Sequence, residues 1–280
     1  MDQPDLFDAA DARSLLDQLI EDSRLYQTSQ DYKDLLDFVV RLRNFAPFNA
    51  MLLQVQKPGL GFAASARDWR DRFGRSIAEG ARPLLILWPF GPVGLVYDVA
   101  DTVGPPLPED VFPFSAQGSV GKEQIDAVRA HLVDAEIESV EIDAGDNRAG
   151  SIRVVQPAKG DKERTIYRLR INKNHPPPVQ FVTIAHELGH LYLGHLGKER
   201  ARRIPGRAHV PDAQQELEAE SVSYIVCSRN GVSSKAQTYL SEYVKDRAMV
   251  DSLDFYQVMR AAGRVEAAMG LAVHTRFEKA

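Results

Sequence analysis

The sequence predicts an α+β chain of two domains: an N-terminal helical domain with a small β-hairpin or sheet, and a C-terminal domain with a small sheet and a strongly apolar helix. Three observations carry this expectation. The 280 residues exceed a typical single core of about 100–150 residues. Hydrophobic spacing passes from helical to alternating and back along the chain. A proline-rich stretch, Gly104 to Pro113, interrupts the pattern and favours an extended connector. The boundary is accordingly placed near residue 116, giving domains 1–116 and 117–280.

Within the first domain, Leu15, Leu16, Leu19 and Ile20, then Leu35, Leu36, Val39 and Val40, have the spacing of two amphipathic helices with acidic outer faces. A short helix follows Pro47. Ser65 is placed to cap a helical turn through Trp69 to Phe73, ended by Gly74. Residues 83–90 and 93–98 read as two strands joined by a turn at Gly91-Pro92. In the second domain, Gln124 to Val133 reads as helix, and segments around Val140, 151–155 and 165–171 alternate as strands of a small sheet. From Pro178 onward the pattern is almost entirely helical.

Composition narrows the class. With 44% hydrophobic and 26% charged residues the chain is an ordinary globular protein, which excludes a fibrous or disordered one. Cys227 is the single cysteine, so no intrachain disulfide forms and a reducing compartment fits. The acidic start Met1-Asp2-Gln3-Pro4-Asp5 is unlike a signal peptide, and no apolar run approaches the roughly 18–20 residues of a membrane span. The expectation is a cytoplasmic protein with no membrane partner. Neither a G-x-S-x-G nucleophile elbow nor a G-x-x-x-x-G-K-[ST] loop is present.

Charge is unevenly distributed. Residues 1–40 hold ten acidic side chains against Arg13, Arg24 and Lys33, a balance of −7, whereas residues 41–82 hold eight basic against three acidic, a balance of +5. The basic segment interleaves Arg67, Arg70, Arg72 and Arg75 with Trp69 and Phe73. Single-strand binders combine a cationic groove with aromatic faces for stacking, but the same aromatics also suit a core.

His186-Glu187-Leu188-Gly189-His190 is an H-E-x-x-H motif. On a helix, residues four apart share a face, so one turn aims both imidazoles at a common point where each can bind Zn²⁺. Glu187, one residue round, is placed to activate a water as general base. Phe181, Val182, Ala185, Leu188, Gly189 and Tyr192 supply the apolar stripe; Pro176 to Pro178 suit the helix start, and Gly194 with Gly197 its end. A third ligand is needed, and Glu216 on the acidic segment Gln214 to Glu220 is assigned to it. Glu220, one turn on, is assigned to accept a hydrogen bond from the second nitrogen of a ligand histidine, while Glu218 points elsewhere. His195 misses the longer pattern H-E-x-x-H-x-x-G-x-x-H by one position and is expected to be an exposed or capping side chain. Two imidazoles and a carboxylate favour zinc, with manganese or iron as substitutes. Tyr192, Tyr224 and His195 are candidates for stabilising an oxyanion. The strand at 165–171 reads either as a sheet edge that pairs with an extended peptide or as an interior strand.

On these residues, from about 120 to 280, the chain resembles the ImmA/IrrE family of metallo-endopeptidases, through Phe181-Val-Thr-Ile-Ala-His-Glu-Leu-Gly-His190 and Glu216-Leu-Glu-Ala-Glu220. The resemblance implies a gluzincin-like, zincin-type fold and cleavage of a partner repressor. The N-terminal half resembles antirestriction proteins of the ArdC type, through Pro47 to Leu53, Trp69-Arg70, Gly74-Arg75, Gly80 to Leu84 and Tyr97 to Thr102. That resemblance implies single-stranded DNA binding, for which Arg67, Trp69, Arg70, Arg72 and Arg75 are the candidates. Three functions follow: a regulatory zinc endopeptidase, a DNA-binding protective protein whose zincin domain is mainly a scaffold, and a structural zinc domain without turnover.

Overall fold

The structure, a computed structural model, describes residues 29–42, 45–87, 93–107, 120–144, 149–232 and 253–271. The helix expected around Leu15 to Ile20, the Gly91-Pro92 turn and the boundary at residue 116 lie outside them. The chain forms two units, one mainly Lys33–Ser115 and the other mainly Ala116–Val273, with the start of the first helix up to Tyr32 grouped with the second. Both are mixed α and β, as the sequence predicts. No described helix is long and apolar enough to cross a membrane.

In the first unit, α1 (Ser29–Arg41) buries Leu35, Leu36, Phe38 and Val39. Helix α2 (Pro47–Gln56) starts on Pro47, whose fixed φ suits a first helical turn. Strands β1 (Ala63–Ala64), β3 (Leu84–Leu87) and β4 (Val93–Asp98) form an antiparallel sheet in the order β1-β4-β3. The outer edge of β3 is closed by side-chain amides of α2. Asn49 exchanges two hydrogen bonds with the backbone of Leu87, both 2.9 Å, and Gln56 two with that of Leu85, at 2.8 and 2.7 Å. An open strand edge is a template for unwanted pairing, and these amides satisfy it as a neighbouring strand would.

Helix α3 (Ala66–Phe73) has the expected boundaries: Ser65 Oγ accepts from Asp68 N at 3.0 Å, and Gly74 takes a left-handed φ of 60°. Trp69 and Phe73 pack with Phe62 and Ala64 in a small core. Strands β2 (Ser76–Ile77) and β5 (Thr102–Val103) pair antiparallel beside it.

The second unit is built on a three-stranded sheet of β6 (Ile137–Ile142), β7 (Gly150–Gln156) and β8 (Ile166–Asn172), in the order β6-β8-β7. Strand β8 is parallel to β6 and antiparallel to β7. Its Tyr167, Leu169 and Ile171 are buried, and α4 (Lys122–Asp134) packs against β6. Of the two readings for 165–171, the interior strand is the one adopted, and β6 and β7 are the edges of this sheet among the described strands. Helices α5 (Pro177–Leu193), α6 (Asp212–Arg229) and α7 (Phe255–Ala268) pack together. Arg229 and Glu266 form a buried pair at 2.7 Å between α6 and α7.

The helical run expected after Pro178 is broken. Residues 194–211 fold back as a loop with an isolated bridge between Glu199 and Ile204. Gly194 starts it with a φ of 85° and its position has no room for a Cβ against the Pro205 carbonyl, so only glycine fits.

Candidate metal centre

Helix α5 is buried nearly all round, with Ile184, Ala185, Leu188, Leu191 and Leu193 at 0% exposure. His186 and His190 occupy its one half-open strip, their side chains 19% and 13% exposed. Helix α6 crosses this strip closely because Gly189 faces Ala219, where a Cβ on the glycine would already touch Ala219 backbone at 3.4 Å. That approach brings Glu216 over the histidine pair.

Two ring nitrogens and both oxygens of one carboxylate meet there. His186 Nε2 lies 3.1 Å from His190 Nε2 and 3.4 Å from Glu216 Oε2, and His190 Nε2 lies 3.5 Å from Glu216 Oε1. A tetrahedral ion with bonds of about 2.0–2.1 Å has ligand-to-ligand edges of about 3.3–3.4 Å. The spacings between residues are close to those edges, and His186, His190 and Glu216 form a group able to hold a metal.

The surrounding charge favours a cation. Hydrogen bonding to His186 and His190 holds the Glu216 carboxyl well below the usual carboxylate range. Burial disfavours a charged His186, but Glu216, Glu220 and Glu187 outweigh it and raise its pKa. The site thus attracts positive charge. Glu220 Oε1 is 3.8 Å from His186 Nδ1, on the correct side but beyond direct hydrogen-bond reach.

Glu187 lies beside the pair, and burial raises its carboxyl, opposed by the two histidines and by one backbone donor. That donor is Ile152 N–H of the edge strand β7, 2.9 Å from Glu187 Oε2. Strand β7 comes this close because Gly150 has no side chain. A Cβ there would sit 2.5 Å from Arg170 O and 2.5 Å from Thr183 Cγ2. Gly150→Ala is therefore expected to destabilise the chain by about 1–3 kcal/mol through overpacking, read as a lower thermal midpoint. An unchanged midpoint would show that β7 does not pack this tightly.

The expectation for His195 is corrected. His195 is not an exposed cap: its side chain is 1% exposed, and it bridges His190 to Glu218. Glu218 points away from the metal point, as expected, but into the interior, where Arg207 pairs with it. The sequence did carry a signal, since Glu218 stands between Leu217 and Ala219 on the inward face, where a carboxylate needs a partner. Arg207 and Ile152 went unidentified because a loop arginine and a backbone N–H leave no local pattern.

In the first unit, Trp69 is corrected from a stacking platform to a core residue. It is 0% exposed, packs edge-on to Phe62 at 5.7 Å, and donates Nε1–H to Tyr97 O at 2.9 Å. Arg75 is spent on structure, its guanidinium donating to Thr102 Oγ1 at 2.7 Å, Thr102 O at 2.9 Å and Gly104 O at 3.0 Å. Arg67, Arg70 and Arg72 are exposed, but Arg67 and Arg70 pair with Asp71 and Arg72 with Asp68 on the same helix.

Residues 147–237 match the family model described as Peptidase_M78, IrrE N-terminal-like domain, a span that includes β7, β8, α5 and α6. No curated protein matches the chain. Solved structures similar to it include the antirestriction protein ArdC from the R388 plasmid in metal-free and Mn(II)-bound forms, at 17% and 16% identity with TM-scores of 0.34 and 0.37. Each covers 84% of this chain and 86% of its own.

Proposed function

We propose that the C-terminal unit is a zinc-dependent endopeptidase in which His186, His190 and Glu216 hold the ion and Glu187 is the general base. The observation that carries this reading is the convergence of two Nε2 atoms 3.1 Å apart on a carboxylate whose oxygens lie 3.4 and 3.5 Å from them, beside Glu187 on the histidine helix. A zinc ion held there would supply a Lewis acid that polarises a carbonyl and lowers the pKa of water toward about 7.

The chain's own residues then have separate tasks. Glu187 is held by the Ile152 N–H through one oxygen, leaving the other to take a proton from the attacking water and return it to the leaving amine. The unpaired edge of β7 runs from this point and offers main-chain groups to an extended peptide, with Val154 and Val155 exposed along it. The substrate in this reading is a protein segment, a transcriptional repressor if the ImmA/IrrE resemblance holds. Domain 117–280 would carry the chemistry and domain 1–116 would locate the partner. Single-stranded DNA binding by domain 1–116 rests on the sequence resemblance and the exposed Arg67, Arg70 and Arg72, without the stacking face expected of Trp69.

Incubating the full chain with a library of peptides from digested proteins tests this directly. New peptide termini are expected to appear, vanish on chelation and return with added Zn²⁺. A zinc-loaded chain that generates none would overturn the endopeptidase reading.

A further inference from the structure

A buried polar chain begins at His190 and runs away from the point where the His186, His190 and Glu216 side chains meet. His190 Nδ1 lies 3.0 Å from His195 Nδ1, and His195 Nε2 lies 3.1 Å from Glu218 Oε2. Both oxygens of Glu218 are held by Arg207, through Nη1 and Nη2 at 2.6 Å each, and Gln214 Nε2 adds a contact at 3.2 Å. The His195 and Glu218 side chains are 1% and 0% exposed, so water does not compete for these bonds. We infer that Arg207, Glu218 and His195 form a relay that fixes the tautomer of His190, making them positioning residues for the metal ligand.

The polarity of each link follows from the one before. A guanidinium only donates, so Glu218 beside it is a carboxylate and only accepts. An accepting Glu218 requires the ring hydrogen of a neutral His195 to be on Nε2. That leaves a lone pair on His195 Nδ1, and the 3.0 Å contact then requires the hydrogen of His190 to be on Nδ1. Nε2 of His190, the atom that faces His186 and Glu216, is thereby the nitrogen left to bind an ion.

The two histidines of the motif are treated differently. His186 Nδ1 stands 3.8 Å from Glu220, so no direct bond sets its tautomer to match. His190 is set before an ion arrives, and its setting depends on the loop 194–211. That loop delivers Arg207 and is tied back to the end of α5 by Arg207 N–H on Gly194 O at 3.0 Å. Groups that hold the outer nitrogen of a ligand histidine are typically worth about 10- to 100-fold in metal affinity.

The inference rests on the metal reading proposed above, and two measurements on the full chain separate the two. Proton–nitrogen NMR of the metal-free wild type, with labelled histidine, is expected to show His190 protonated on Nδ1 and His195 on Nε2. Zn²⁺ titration against a competing chelator is expected to show His195→Ala weakened by about 10- to 100-fold. His195→Asn should recover most of that loss, since its Oδ1 occupies the Nδ1 position and accepts the same hydrogen. His190 found without a proton on Nδ1 in the wild type, or a folded His195→Ala chain with wild-type affinity, would overturn the relay. The spectra need no substitution, so they decide it even if the wild type binds no Zn²⁺, a result that would remove the metal reading alone.

Discussion

Glu187→Gln is expected to leave fold and zinc content intact while lowering kcat/KM for peptide cleavage by about 10²- to 10⁴-fold, the usual worth of a positioned acid–base group. The substitution is close to isosteric. Its amide oxygen can still accept the Ile152 N–H that now lies 2.9 Å from Glu187 Oε2, so the side chain keeps its place on β7. What it loses is the ability to take up and return a proton. Burial already raises this carboxyl, which brings it nearer the pH at which it must exchange that proton. Kinetics on a peptide found by library cleavage, with metal analysis of the same samples, makes the comparison. Full activity in a zinc-loaded Glu187→Gln chain would show that another group is the base.

Glu216→Ala is expected to weaken zinc binding by roughly 10²- to 10³-fold. The scale is a one-ligand share of the about 10–16 kcal/mol by which four-ligand structural sites hold zinc, at about 1.4 kcal/mol per tenfold. Because the Glu216 side chain is 51% exposed, its truncation leaves no cavity in α6. Glu220→Gln should weaken binding less, since Glu220 Oε1 stands 3.8 Å from His186 Nδ1 and does not reach the donor cluster. Competition with a chromogenic chelator ranks the three proteins. Equal affinity in wild type and Glu216→Ala would exclude Glu216 as a ligand.

The parts of this site that the sequence makes legible are those set by helical periodicity. His186 and His190 are one turn apart on α5, Glu216 and Glu220 one turn apart on α6, and both helices carry the apolar positions that bury them. The caps at Ser65, Gly74 and Gly194 are equally local, because each needs only a side-chain oxygen or a left-handed φ at a helix end. Contacts made by tertiary packing are not encoded that way. The bond from Ile152 N–H to Glu187 depends on the order β6-β8-β7, and strand order has no signature within one strand. The burial of His195 depends on the loop after Gly194 folding back to supply Arg207. Trp69 shows the opposite failure. Its neighbours Arg67, Arg70 and Arg72 give the segment a nucleic-acid-binding composition, yet its place in the α3 periodicity, four residues before Phe73, puts it in the core.

The convergence of His186, His190 and Glu216 on one ion is best tested by diffraction from zinc-loaded crystals at energies either side of the zinc absorption edge. A single anomalous peak per chain is expected, about 2.0–2.1 Å from His186 Nε2, His190 Nε2 and a Glu216 oxygen, with no protein atom in the fourth position. A peak elsewhere, or one bound by the histidines with Glu216 turned away, would contradict the account.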